Sequence, residues 1–219
     1  MYFILHPISS LNHFVARLAT DQITFLASII FFAFLSLNYK NTFWQNVDRT
    51  VSEWAIRGER NVIKDHSEDF ALFGNALFHI LFSIILSVIF LITKHKFSII
   101  LAILFALIFS WGLNRFIKLI FKRTRPEYLE SNIRRRISYC YPSGHVMASI
   151  PIYFFSAILL QNLLSFLPWY LIAFAISCFV IVSRIYLNHH YFTDVLGGIA
   201  MGIFCLNISI WFYFFIGLI

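Results

Sequence analysis

Charge is what this sequence has least of. Asp, Glu, Lys and Arg make up 12% of its 219 residues, about half the share of an ordinary soluble domain. That excludes a conventional water-soluble fold. Cysteine is scarce as well: Cys140, Cys178 and Cys205 form no metal-ligand spacing, and two of them sit inside apolar runs. They read as packing residues, and nothing marks Cys140 as an activated thiol. No small-x-small cleavage site follows the first apolar run, which therefore reads as an anchor rather than a removable signal. No internal repeat or low-complexity linker divides the chain. The basic residues do not sit on a soluble, aromatic-bearing module, so nucleic acid is not an expected partner.

What is present is apolar. Hydrophobic residues are 60% of the chain, 27 residues are Phe, and mean hydropathy is +0.78. Crossing a hydrocarbon core of ~30 Å takes about 20 helical residues. Stretches of that kind recur at Ile23–Asn38, Ala71–Thr93, Phe97–Ile117, Val146–Leu164, Trp169–Val182 (extendable to Leu187) and Val195–Ile219. The expected fold is all-α, an integral membrane bundle of six transmembrane helices forming one domain over residues 1–219. Ile4, Ile8, Leu11, Phe14, Val15 and Leu18 recur at spacings of three and four, which predicts an amphipathic N-terminal helix lying on the membrane surface.

Six spans put the segments after the first, third and fifth helices on one face: Tyr39–Phe70, Lys118–His145 and Ser183–Asp194. The opposite face has the N-terminal segment, Lys94-His95-Lys96 and the turn near Ser165–Pro168. Three polar clusters share the first face. Lys118 to Arg125-Pro126 follows the third helix, Pro142-Ser143-Gly144-His145 opens the fourth, and Ser183-Arg184 through His189-His190 to Asp194 joins the fifth to the sixth. Taken singly, each has a plain structural explanation. Lys122 and Arg123 read as side chains snorkelling into headgroups, Ser-Gly-His as a helix cap, and a lone histidine as a satisfied interfacial residue.

Together they suit phosphoryl chemistry. Arg forks and Lys ammonium groups stabilise the charge on transferring phosphoryl oxygens. Ser143–Gly144 at a helix start offers a bare backbone and unpaired N–H donors to an anion. A neutral imidazole attacks phosphorus if a carboxylate fixes its other nitrogen, and His190 and Asp194 lie four residues apart. His145 is then placed to protonate the departing alkoxide. Gly198 and Gly202 follow Asp194 at intervals of four and predict close packing of the sixth helix.

Lys118-x6-Arg125-Pro126, Pro142-Ser143-Gly144-His145 and Ser183-Arg184-x5-His190-x3-Asp194 resemble the three signature motifs of the type 2 phosphatidic acid phosphatase family. The resemblance implies metal-independent, cofactor-free hydrolysis of a lipid phosphate monoester or diphosphate through a phosphohistidine. It implies His190 as nucleophile, Asp194 as its orienting partner and His145 as acid, then base. Lys118, Arg125, Arg184, Ser143 and the Gly144 backbone would hold the phosphate. The implied partner is a membrane lipid of a bacterial envelope: polyprenyl diphosphate, phosphatidylglycerophosphate, phosphatidic acid or lipid A.

His189 is given a lesser role, a headgroup contact. Arg134-Arg135-Arg136 is read as attracting a headgroup with more than one phosphate, or as binding anionic membrane unspecifically. The resemblance also implies an inner-membrane protein whose site faces the periplasm, with both termini cytoplasmic. Counting Lys and Arg alone would instead place that face in the cytoplasm. A lipid-binding or transport protein without activity, and a vanadate-dependent haloperoxidase, are the alternatives. The six spans oppose the haloperoxidase, and intact His190, Asp194 and His145 oppose the binding protein. The sequence leaves the oligomeric state open.

Overall fold

The computed structural model describes residues 7–57, 62–94, 97–126, 139–164 and 167–217, with side chains from residue 22 on apart from those at 63, 94 and 162. The described residues form helices and no strand: α1 (Pro7–Asn38), α2 (Thr42–Arg57), α3 (Val62–Asp65), α4 (Ser67–Leu72), α5 (Ala76–Lys94), α6 (Phe97–Phe121), α7 (Gly144–Leu163), α8 (Trp169–Tyr186) and α9 (Phe192–Gly217). Helices α5 to α9 are each long and apolar enough to cross a membrane. α1 from Gln22 passes the same test only together with α2, from which it is bent by 94°.

α7 is the central helix. Val146 to Ile150, Ile152, Tyr153, Phe155, Ala157 and Leu159 are all buried, because α6, α8 and α9 surround it. The outer helices instead turn large apolar side chains outward, among them Ile80, Ile84 and Ile85 on α5 and Ile108, Phe116 and Leu119 on α6. Such a surface suits hydrocarbon, where each helix satisfies its own backbone hydrogen bonds. α1 lies along α9, with the Phe25 ring 5.1 Å from Phe204 and 4.7 Å from Trp211.

The glycines expected to bring the last helix close to a neighbour do so. A Cβ on Gly198 would lie 2.8 Å from the Ser143 carbonyl oxygen, and one on Gly202 would lie 2.9 Å from the Ile150 Cβ. α9 and α7 therefore touch backbone to side chain along two turns, as small residues permit.

Several boundaries differ from those expected. α5 begins at Ala76 rather than Ala71, because Ser67–Leu72 forms the separate α4. α6 runs one turn past Ile117 and carries Lys118 within it. α9 starts at Phe192, which puts Asp194 in its first turn. The largest difference is α2: within Tyr39–Phe70, expected as a connecting segment, Thr42–Arg57 is an amphipathic helix that folds back toward the site. The amphipathic reading of the N-terminus and the arginine triplet at 134–136 rest on residues or side chains outside those described.

Candidate active site

Two backbone turns deliver the site residues. α6 ends where Lys122 takes φ 47, and α8 ends where Asn188 takes φ 49. A left-handed residue stops a helix and redirects the chain, and Asn tolerates that conformation better than most. The first turn sends Arg123 to Pro126 across the top of the bundle, while the second brings His189-His190 back over α9. The third piece is the segment 139–143, which enters α7 through a cis Tyr141–Pro142 peptide bond.

Cross-links join these pieces. The Ser143 N–H donates to the Asp194 carbonyl at 2.9 Å, and the Cys140 N–H donates to the Arg123 carbonyl at 2.8 Å. The Cys140 thiol donates to the Thr124 carbonyl at 2.9 Å. Burial, and then the charge of Asp194, push that thiol up, so it stays protonated and structural. The Tyr141 ring stacks 5.2 Å from Tyr39, and its hydroxyl lies 3.0 Å from Ser36 Oγ. That packing anchors the serine motif to α1.

The histidine and aspartate motif residues meet although His190 precedes the helix. His190 Nδ1 is 3.4 Å from Asp194 Oδ2, and both residues are buried. The distance is long for a hydrogen bond, as is common before a substrate tightens a site. Asp194 Oδ2 also accepts the Tyr191 N–H at 3.0 Å. Burial first, and then the positive charges of Arg125, Lys118 and Arg184, hold the His190 imidazole well below its ordinary pKa. It is therefore neutral at neutral pH, with a lone pair on one ring nitrogen.

His145, in the first turn of α7, lies within electrostatic reach of Arg184, His190 and Lys118. Arg125 is held by donating from NH1 to the His189 carbonyl at 2.9 Å. His189 thus enters the site through its backbone. Ser143 is the N-cap of α7 but makes no side-chain cap. Its Oγ is completely buried without a hydrogen-bond partner. A buried hydroxyl left unpaired costs about 1–3 kcal/mol, and a phosphoryl oxygen would satisfy it. The backbone at Gly144 is equally tight: a Cβ there would lie 2.7 Å from Asn114 Oδ1. All eight expected site residues thus belong to one cluster at the same end of the bundle.

Two further residues were not singled out in the sequence, and a third was given a different role. Gly74, between α4 and α5, abuts His145, since a Cβ there would come within 2.9 Å of the His145 Cβ. Asp48 on α2 and Arg123 are the others, and Arg123 corrects an expectation. It does not snorkel. Its NH1 donates to Asp194 Oδ1 and to Thr193 Oγ1, each at 2.7 Å, and its NH2 donates to Asp48 Oδ2 at 2.7 Å. Asp48 in turn accepts the Thr193 N–H at 2.8 Å and its hydroxyl at 2.7 Å. The guanidinium also lies 4.7 Å from the Tyr39 ring centre and 4.2 Å from that of Tyr191. Trp44, Val47, Val51, Trp54 and Ala55 recur at helical spacing and would have signalled α2. Nothing local marks Arg123 among the neighbouring cations.

A lateral groove reaches the site from the membrane side. It has a volume of about 980 Å³ between α5 and α6, with Ile80, Leu107, Ile108 and Gly112 along its walls and Lys118 at its polar end. A second cavity of about 600 Å³ opens above Arg123, bordered by Lys40, Asp48 and Asn188.

Phosphatidylglycerophosphatase B of Bacillus subtilis (strain 168) is 36% identical over 96 residues, which are 42% of this chain and 46% of that protein. The match thus spans about half the length of the curated relative. The crystal structure of the first transmembrane PAP2-type phosphatidylglycerolphosphate phosphatase from Bacillus subtilis superposes with a TM-score of 0.78 at 25% identity, covering 86% of this chain and 95% of that one. That likeness identifies an integral membrane protein. Residues 99–217, which include all three motifs, match the PAP2 superfamily, and the chain belongs to that family.

Proposed function

We propose that this protein hydrolyses a phosphorylated membrane lipid, with His190 as the nucleophile. The observation that carries the reading is the buried His190–Asp194 pair beside Lys118, Arg125 and Arg184 and the unpartnered Ser143 hydroxyl. With Nδ1 turned to Asp194, Nε2 is the nitrogen that attacks phosphorus. The P–O bond to the lipid breaks as the N–P bond forms, and His145 gives its proton to the leaving oxygen. Asp194 stabilises the imidazolium character of the phosphohistidine. His145 then takes a proton from water, whose oxygen attacks phosphorus; the N–P bond breaks, its electron pair returns to His190 Nε2, and inorganic phosphate leaves. The three cations do the charge neutralisation that a divalent metal does in other phosphatases, and they would repel one here.

The lateral groove supports a lipid substrate. Ile80 and Ile108 stay open to hydrocarbon while Lys118 sits at the groove's polar end. A chain can therefore remain in the bilayer with its phosphate at the cations. The named activity of the relatives makes phosphatidylglycerophosphate the first substrate to assay. We place the site on the periplasmic face of a bacterial inner membrane. Lys118, Arg123, Arg125 and Arg184 are committed to the site, which removes them from any count of positive charge by face. Cysteine labelling at positions 94–96 in intact cells tests this, and labelling from outside would reverse the orientation.

The test of the activity is phosphate release from phosphatidylglycerophosphate, phosphatidic acid and a polyprenyl diphosphate in mixed micelles. His190→Ala should lower kcat about 10³-fold or more in a folded protein, and EDTA should leave the wild type unchanged. Substantial turnover by His190→Ala would remove the nucleophile assignment.

A further inference from the structure

The Asp48–Arg123–Asp194 chain has more order than a structural staple needs. Arg123 presents one nitrogen to each of two carboxylates, at 2.7 Å in both cases. Asp194 is left with one oxygen on Arg123 and the other on His190 and the Tyr191 N–H. Asp48 is fixed from behind by both polar groups of Thr193, the residue next to Asp194. All three charged side chains are buried or nearly so. In such a setting one guanidinium shared by two carboxylates leaves a net negative charge, whereas one held by Asp194 alone would cancel it.

Resting on the reading of His190 as nucleophile, we infer that Asp48 and Arg123 are positioning residues for that nucleophile. Arg123 fixes the rotamer of Asp194 so that Oδ2 faces the imidazole, and Asp48 draws off enough of the guanidinium's charge to leave Asp194 able to stabilise a cation on His190. The groups that bear on His190 are Lys118 from α6, Arg125 from the segment after it, His145 from α7, Arg184 from α8, His189 beside it and Asp194 from α9. Among the described residues Asp194 is the only carboxylate within hydrogen-bonding distance. Anything that changes how much of its charge is free is therefore felt at His190 against an otherwise cationic surround.

The two partners then have opposite signatures. In Asp48→Asn, Arg123 bears on Asp194 alone and less negative charge is left for His190. The imidazole holds its proton less well, so the acidic limb of kcat/KM, which reports the free enzyme, moves to lower pH. In Arg123→Gln, Asp194 offers its whole charge to His190, and the limb moves to higher pH. Both variants lose kcat by about ten- to a hundredfold, the scale on which partners that orient a reactive ligand are felt. KM changes little, because neither residue belongs to the phosphate cradle. In the double variant there is no guanidinium left for Asp48 to share, so the limb stays where Arg123→Gln puts it.

The experiment measures kcat and KM for phosphatidylglycerophosphate in mixed micelles over acid to neutral pH. It compares purified wild type, Asp48→Asn, Arg123→Gln and the double variant. Limbs that stay in place or move the same way in both single variants, or losses carried by KM, would show a structural staple and overturn the inference. Should Arg123→Gln fail to fold, the near-isosteric Asp48→Asn decides: an unmoved limb refutes the inference, and a downward shift with reduced kcat supports it. A wild type that releases no phosphate from any of the three lipids defeats the functional reading and the inference with it. An active wild type whose variants keep their limbs defeats the inference alone.

Discussion

Replacing Gly198 by alanine should damage the chemistry more than the fold. The new Cβ would lie 2.8 Å from the Ser143 carbonyl oxygen, about 0.6 Å short of ordinary contact at 3.4 Å, and 3.1 Å from the Val146 Cβ. A backbone oxygen has no rotamer to escape into. Either the Ser143–Gly144 peptide moves by roughly that distance, or α9 tilts away from α7 and carries Asp194 with it. The Ser143 N–H to Asp194 carbonyl bond couples the two movements. Overpacking of this size costs about 1–3 kcal/mol of stability. A misplacement near 1 Å around reacting groups costs up to about 10²-fold in rate, so a loss of tenfold or more in kcat is expected. Gly202→Ala is the matched control, because its Cβ meets Ile150 at 2.9 Å and the Met147 carbonyl at 3.1 Å, one turn further from the site. Melting curves and phosphate release on the two variants test the reasoning. Similar melting losses with a much larger kcat loss in Gly198→Ala are expected. Equal kcat values, or Gly198→Ala within twofold of wild type, would refute it.

Ser143→Ala removes a buried hydroxyl that has no partner, so the variant should melt no lower than wild type and lose about tenfold in kcat/KM, as one lost phosphate contact implies; a lower melting point would mean that the hydroxyl is structurally satisfied. At Gly112 a Cβ meets nothing within 4 Å, so Gly112→Phe should fill the lateral groove and raise KM for long-chain lipids while sparing a soluble short-chain phosphate ester. Equal effects on both would place the lipid elsewhere. The depressed His190 pKa also predicts a pH dependence of stability. The unfolded imidazole takes up a proton near pH 6.5 and the folded one does not, so stability is fully present above that pH. It then falls by up to about 1.4 kcal/mol per pH unit as pH drops toward the folded-state pKa. His190→Asn should flatten that slope in denaturation measured from pH 7 downward, and an unchanged slope would contradict the shift.

The bundle and the clustering of the motif residues were legible because their signals are local. Long apolar runs mark spans by length alone, and Lys118, Ser143, Arg184 and His190 fall in three short motifs with fixed spacing. His190 and Asp194 sit four residues apart, so they meet even though a turn rather than a helix joins them. Asp48 and Arg123 were not legible for the opposite reason. They are 75 residues apart in the chain, and Arg123 stands between an exposed Lys122 and the motif residue Arg125, with nothing local to tell it from either. The segment holding Asp48 was masked by its charges, since an interfacial amphipathic helix carries too many polar residues to look like a span and lies in what reads as a loop. Pair contacts across such distances leave no period in one sequence.

The division of labour among the helices has a consequence for how such a protein can change. α7 and α9 are bound to each other by glycine contacts and by the Ser143–Asp194 backbone bond, and between them they carry both histidine-bearing segments. α5 supplies no residue to the motif cluster but lends Ala76 and Ile80 to the groove wall. Drift on α5 can therefore alter which hydrocarbon chain is admitted while leaving phosphorus chemistry untouched, whereas a single methyl group between α7 and α9 reaches the reacting atoms. Swapping α5 between relatives is accordingly the most direct route to a new lipid preference on an unchanged catalytic frame.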